Sequence, residues 1–281
     1  MTFRNLNILT IDLEDWYHPE YVRDQAPKDR EDRVNESSTR TLRLLGEHGV
    51  GATFFVVGES VKKHPEILDE IRRSGHEIGF HGYSHKPLWE LNADLLRLEI
   101  DRFNSLTGER CRGFRAPSFS LDNGTRWALR ALEDSGIIYD SSIFPARTLL
   151  YGVSEAPMEP YRPSHEDVSK RDDSQDLLEF PLLAYRLAGL RVPAAGGFYL
   201  RMLPLSILKR AIRKMNRRGA PAVMFVHNWE LDPGTPRLKL GIYRSFVTYY
   251  NIEKTGRKLE SLLSEFQFEC FRDYIEEQGL A

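Results

Sequence analysis

Short apolar runs alternate with amphipathic stretches along most of this chain, and that rhythm predicts its elements. The runs at 7–12 (NILTID), 52–58 (ATFFVVG), 77–81 (EIGFH), 112–117 (RGFRAP), 137–140 (IIYD), 177–182 (LLEFPL) and 222–227 (AVMFVH) have the length and β-branched or aromatic content of buried strands. Amphipathic helices are predicted between several of them. One opens on Pro65 and stops at Gly75, and a second is capped by Asn92 and stops at Gly108. A third starts near Asp122 and ends at Gly136, and a fourth runs from Pro204 to Gly219. Strand followed by helix, repeated, predicts parallel strands in an α/β fold. About seven strands favour a barrel over an open sheet.

Two stretches break the rhythm. Residues 151–176 are polar and rich in proline and charge, and read as an irregular insertion: a lid, a substrate loop or a floppy segment. A second irregular region spans 227–246. There is no internal repeat, so the chain is read as one domain over 1–281, with 228–281 as a C-terminal extension.

Composition narrows the function classes. Thirty-nine basic against 41 acidic side chains give a formal charge of −2, which offers no basic footprint for nucleic acid. The two cysteines, Cys111 and Cys270, form neither a zinc spacing nor a disulfide framework. The opening MTFRNLNILTIDL lacks a basic start, a long apolar run and a small-residue cleavage site, so neither a secretion signal nor a transmembrane span is expected. A cytoplasmic location follows as the expectation.

The chemistry lies where strands stop. Asp12, His81, Arg115, Asp140 and His227 each fall at or near a predicted strand end, and in parallel α/β folds those ends gather at one ligand-binding face. Asp12, Glu14 and Asp15 crowd three carboxylates into four positions, an expensive group to bury unless paired or bound to a metal. His81 and His85 stand four apart, a spacing that suits one cation if the chain turns. Two imidazoles and one carboxylate are a common ligand set for a catalytic divalent metal, and a spare acid could then serve as base.

These motifs resemble the polysaccharide deacetylases, carbohydrate esterase family 4, also called the NodB homology group. TIDLED resembles the family's first motif, HGYSH its histidine motif, RAP at 115–117 its R-x-P motif, and VMFVH its late strand ending in histidine. The resemblance covers about residues 5–230. DLED, GGFYLR and HNWELDP resemble the subgroup associated with exopolysaccharide and exosortase gene clusters.

The resemblance implies a distorted (β/α)7 barrel and a metal-dependent hydrolase that removes acetyl, N-acetyl in the first place, from an amino sugar or its oligomer. It implies Asp12 as general base, Arg115 as the residue orienting it, and His227 as general acid. The metal would be Zn²⁺, with Co²⁺ or Ni²⁺ as substitutes, held by His81, His85 and one carboxylate. Leu13 separates acids that are adjacent in the usual motif, so that carboxylate is Asp15, chosen on residue type, or Glu14. A backbone N–H near Ser118 would help hold the oxyanion. The family's later Asp-Trp motif is poorly matched, which leaves Asp140 and Glu179 as alternative partners for His227. Trp229 is the candidate for stacking on sugar, and Glu230 is read as shaping the turn.

Two other readings compete. A cyclic-amide hydrolase on the same fold would open a ring instead of releasing acetate, and a silent sugar-binding protein would hold no stoichiometric metal. The helix LKRAIRKMNRRG, with basic residues at 209, 210, 213, 214, 217 and 218, reads as a solvated outer helix; contact with anionic lipid or a lipid-linked sugar is its alternative.

Overall fold

Strand β1 (Leu6–Leu13) is buried along nearly its whole length, as a parallel strand covered on both faces must be. The computed structural model describes residues 5–280; the opening four residues, on which part of the leader reading falls, lie outside the described residues. After β1 come α1 (Val34–His48), β2 (Thr53–Val56), α2 (Gly58–Lys63), α3 (Glu66–Arg73), β3 (Glu77–Phe80), α4 (Ala93–Thr107), β4 (Gly113–Phe114), α5 (Trp127–Asp134) and β5 (Tyr139–Asp140). The second half holds β6 (Leu178–Glu179), β7 (Ala184–Leu187), β8 (Leu190–Pro193), α6 (Gly197–Met202), α7 (Leu205–Asn216), β9 (Val223–His227), α8 (Ile242–Tyr249), α9 (Thr255–Leu263), β10 (Gln267–Glu269) and α10 (Phe271–Gln278).

Seven parallel strands run in the order β9-β1-β2-β3-β4-β5-β6, the α/β architecture expected from the sequence. The sheet curls into a half-barrel, and irregular backbone spans the remaining gap. Leu183 N–H donates to the Val223 carbonyl, and Phe225 N–H donates to the Ala195 carbonyl. Gly196 is required at that seam, because a Cβ there would lie 1.7 Å from the Phe225 carbonyl oxygen.

Strand β1 is the hub. Its Ile8–Asp12 segment pairs with β9; Thr10–Leu13 pairs with β2 and Leu6–Ile8 with β10, so those two strands share one edge in tandem. The segment after residue 228 is therefore built into the sheet, and Phe271 packs in the main core. Within the 151–176 stretch Tyr161 and Val168 are buried, and Tyr161 pairs with Glu179 of β6. Helix α7 turns Leu208, Ile212 and Met215 inward, while Lys209 and Arg213 meet Glu265, and Arg218 meets Glu159. Among the described residues, no helix is long and apolar enough to cross a membrane.

Candidate active site

Parallel register brings the strand ends together. Asp12 of β1 lies opposite Phe55 of β2 and His227 of β9, so an acid from the start of the chain meets a histidine from near its end. Arg115 is fully buried; one guanidinium nitrogen donates to Asp12 Oδ1 at 2.6 Å and to Thr10 Oγ1 at 2.6 Å. The rest of the fork is fixed by the Ser141 carbonyl at 2.8 Å and the Ser141 hydroxyl at 2.9 Å, with the Phe55 ring 4.3 Å beneath. A buried guanidinium with its donors engaged is a rigid clamp on the acid.

The histidines meet a carboxylate, and it is Glu14. One ligand atom from each of Glu14, His81 and His85 lies within 4.8 Å of the others, a group that could hold a metal ion. His81 Nδ1 faces the Arg115 carbonyl at 2.8 Å, which fixes the N–H there and leaves Nε2 free as a ligand atom. Burial lowers His81 to about 4, so the ring stays neutral at pH 7, as a ligand must. His85 Nε2 comes within 2.7 Å of Glu14 Oε2, yet that buried oxygen has no partner in hydrogen-bonding geometry. A buried carboxylate oxygen and two free imidazole nitrogens converging on one point fit a divalent cation. Burial alone would raise Glu14; His85, then His227 and His18, outweigh it and hold the carboxyl well below the usual range. Asn228 accepts the Glu14 N–H at 3.0 Å, and Trp229 Nε1–H donates to Oε1 at 3.0 Å.

The expectation of Asp15 beside the histidines is thereby corrected. Asp15 Oδ2 accepts the N–H groups of Arg33 at 2.8 Å and Val34 at 3.1 Å, and Oδ1 accepts that of Trp16. It satisfies donors at the start of α1, whose own first residues supply no side-chain cap.

The partner of His227 is likewise neither Asp140 nor Glu179. His227 Nδ1–H donates to Glu230 Oε1 at 2.5 Å, across a single turn of 3₁₀ helix (Asn228–Leu231). Arg201 of α6 lies 3.2 Å from the other Glu230 oxygen, and both side chains are buried. Burial would lower the His227 pKa; hydrogen bonding to Glu230, with the charges of Glu230, Glu14 and Asp12, overrides it and raises the ring to about 9. Asp140 and Glu179 instead sit together behind Arg115, where burial raises both carboxyls, Asp140 to about 6. Asp140 Oδ1 accepts from Ser142, and Glu179 Oε1 accepts the Ile143 N–H. Trp229 is 4% exposed, lies stacked 5.2 Å from the His227 ring and lines the same cleft.

Asp12, Glu14, His81, His85, Ser118 and His227 all line one cleft, walled largely by apolar side chains such as Phe119, Tyr151, Phe198 and Phe225. Ser118 adopts left-handed backbone, φ 56°, on its floor. Reasoning from sequence missed Glu230 and Arg201 as site residues. The i,i+3 spacing of His227 and Glu230 was visible in HNWE; nothing in the spacing of GGFYLR pointed to Arg201.

Comparison with known proteins adds two family matches. Residues 24–135 match the polysaccharide deacetylase family, and residues 141–276 match a domain family of unknown function, DUF3473. The first match contains His81, His85 and Arg115 but not Asp12 or Glu14; the second contains His227, Glu230 and Arg201. Among relatives, the peptidoglycan-N-acetylglucosamine deacetylase of Bacillus cereus is 38% identical over 98 residues, covering 33% of this chain and 36% of the relative. A peptidoglycan deacetylase-like protein of Gibberella zeae is 36% identical over 118 residues, 40% of this chain and 34% of its own. The chain thus spans about a third of the length of the curated relatives it matches. Among solved structures, a candidate polysaccharide deacetylase from Mycobacterium smegmatis covers 97% of this chain and 89% of its own, at 21% identity and TM-score 0.63. A CE4 family pseudoenzyme from Bacillus anthracis covers 97% of this chain and 66% of its own, at 14% identity and TM-score 0.51; both establish likeness of fold. The likeness to polysaccharide deacetylases thus rests on residues 24–135 and on partial matches to the relatives.

Proposed function

We propose that the chain is a metal-dependent hydrolase that removes N-acetyl groups from an amino sugar or its oligomer. The observation that carries the reading is the convergence in one cleft of Glu14, His81 and His85 with a clamped Asp12 and a carboxylate-backed His227. The relatives named as deacetylases support the reaction class.

Glu14 Oε2, His81 Nε2 and His85 Nε2 would hold Zn²⁺, or Co²⁺ or Ni²⁺ in its place. When bound, the ion supplies an acidified water and polarisation of the acetyl carbonyl. Asp12 accepts the water proton, and Arg115 fixes the orientation of its carboxylate. Backbone around Ser118 donates to the developing oxyanion, for which the left-handed turn there is a suitable cradle. His227 delivers a proton to the departing nitrogen through Nε2, while Nδ1–H stays on Glu230. The cleft's apolar walls keep bulk water away and strengthen each charge interaction.

The GGFYLR and HNWELDP segments carry Arg201, His227 and Glu230, which supports placing the chain with the exopolysaccharide-associated deacetylases. Strands β9 and β10 pair with β1, which supports one folding unit. The test is acetate release from acetylated chito-oligosaccharides by zinc-loaded protein. Asp12→Asn should keep the metal and lose activity by at least about a hundredfold. Ring opening of a cyclic amide without acetate release would overturn the reading, as would absence of stoichiometric metal.

A further inference from the structure

The mouth of the cleft carries an apolar surface that neither the core nor the chemistry uses. Four exposed apolar side chains, Ile242, Tyr243, Phe246 and Tyr250, come from α8 and the residue after it, and Ile242 is 93% exposed. The same helix sends Val247 and Thr248 into the cleft wall. Phe198, which lines the cleft, meets Phe246 at 5.4 Å, and Tyr21, which also lines it, meets Tyr243 at 5.8 Å. Leu149, 83% exposed, directly precedes the cleft residues Leu150 and Tyr151. The surface is therefore a rim, continuous with the site.

The chemistry of the rim identifies its occupant. Phe246 meets Phe198 at 67°, Tyr243 meets Tyr21 at 89° and Phe246 is tilted 44° to Tyr250, so the rings share no common plane as a flat platform for a sugar ring. Ile242 and Leu149 are aliphatic and offer a saccharide no stacking face. Arg237 and Lys239 are exposed on the approach to α8, and Arg244 lies on it. Arg244 is paired with Asp24 at 2.8 Å and Arg237 has Glu253 at 3.9 Å, while Lys239 has no carboxylate partner among the described residues. Exposed aliphatic side chains, tyrosines beside them and a free lysine at the edge are what a protein needs to seat itself in a lipid headgroup layer. Helix α7 lacks the exposed apolar side chains, since its stripe of Leu208, Ile212 and Met215 is buried.

We propose that the α8 rim docks on an anionic lipid surface and that the cleft takes an acetylated saccharide carried at that surface. The second half rests on the deacetylase reading; the first does not.

The experiment is sedimentation of the full chain with phosphatidylcholine vesicles containing about a quarter phosphatidylglycerol. Wild-type protein should bind, and Ile242→Ser with Phe246→Ser should weaken binding by about tenfold or more. Lys239→Glu should weaken binding to these vesicles more than to pure phosphatidylcholine, and Arg213→Glu on α7 should change nothing. The rim variant should still release acetate from a soluble chito-oligosaccharide, which shows it folded. Absence of vesicle binding by wild type overturns the proposal, as does equal binding by the folded rim variant. Light scattering that finds a dimer dissolved by Ile242→Ser would assign the rim to a second copy instead. Vesicle binding without acetate release from any acetylated saccharide would leave the docking half standing and overturn the deacetylase half.

Discussion

Glu14 and Asp15 are neighbours with opposite duties, and only the fold separates them. Glu14 turns toward His85 while Asp15 turns toward the backbone of Arg33 and Val34. Residue type favoured Asp15, and no local pattern reports that the start of α1 lacks its own cap. Glu14→Gln should abolish stoichiometric zinc with little loss of stability, as read by metal analysis beside urea unfolding. Asp15→Ala should do the reverse, keeping zinc and costing about 1–2 kcal/mol. His227 gives the pH behaviour. Its pKa is raised to about 9, so its proton is present below that pH and lost above it. The kcat profile should therefore fall on the alkaline side near pH 9. The sign for stability is the same: the His227–Glu230 contribution is complete below about pH 6.5 and disappears as pH rises through about 9. Glu230→Gln should move the alkaline limb toward neutrality and lower kcat roughly ten- to a hundredfold, with zinc retained.

At the scale of elements, the strands with chemistry at their ends were legible because burial on both faces leaves a continuous apolar run. Helix α4 was legible at both ends: Asn92 accepts the Leu95 N–H, and Gly108 takes the left-handed turn at φ 74°. Strand β10 was not, because three residues carry no periodicity and its pairing with β1 is set by partners 261 positions away. The β7–β8 hairpin was hidden for another reason: it pairs outside the main sheet, and β8 is only partly buried. Nor does sequence disclose the closing seam at Gly196, where backbone crosses backbone. Gly196→Ala forces a methyl against the Phe225 carbonyl beside His227, and should cost about 2–3 kcal/mol in urea unfolding.

For the molecule as a whole, the sequence marked Asp140 and Glu179 as acids of interest but could not tell a site from its foundation. They form a buried pair whose hydrogen bonds go to the Ser142 hydroxyl and the Ile143 N–H, and burial makes ionisation of the pair unfavourable. Carboxyls raised in the folded state stabilise it fully below their unfolded pKa, near 4, and that contribution is lost as pH rises through about 6 and above. The contribution of this pair to stability should therefore decline between pH 5 and pH 8. Glu179→Gln should flatten that decline in urea titrations at the two pH values, since an amide oxygen still accepts the Ile143 N–H.

The tandem seating of β2 and β10 on one edge of β1, with β9 on the other, orders events during synthesis. Glu14, His81 and His85 leave the ribosome before His227 and before the strand that completes the lower edge of β1. A growing or prematurely ended polypeptide can thus gather a cation well before it owns a proton donor. The proposed proton donor takes its place only once β9 has zipped against β1.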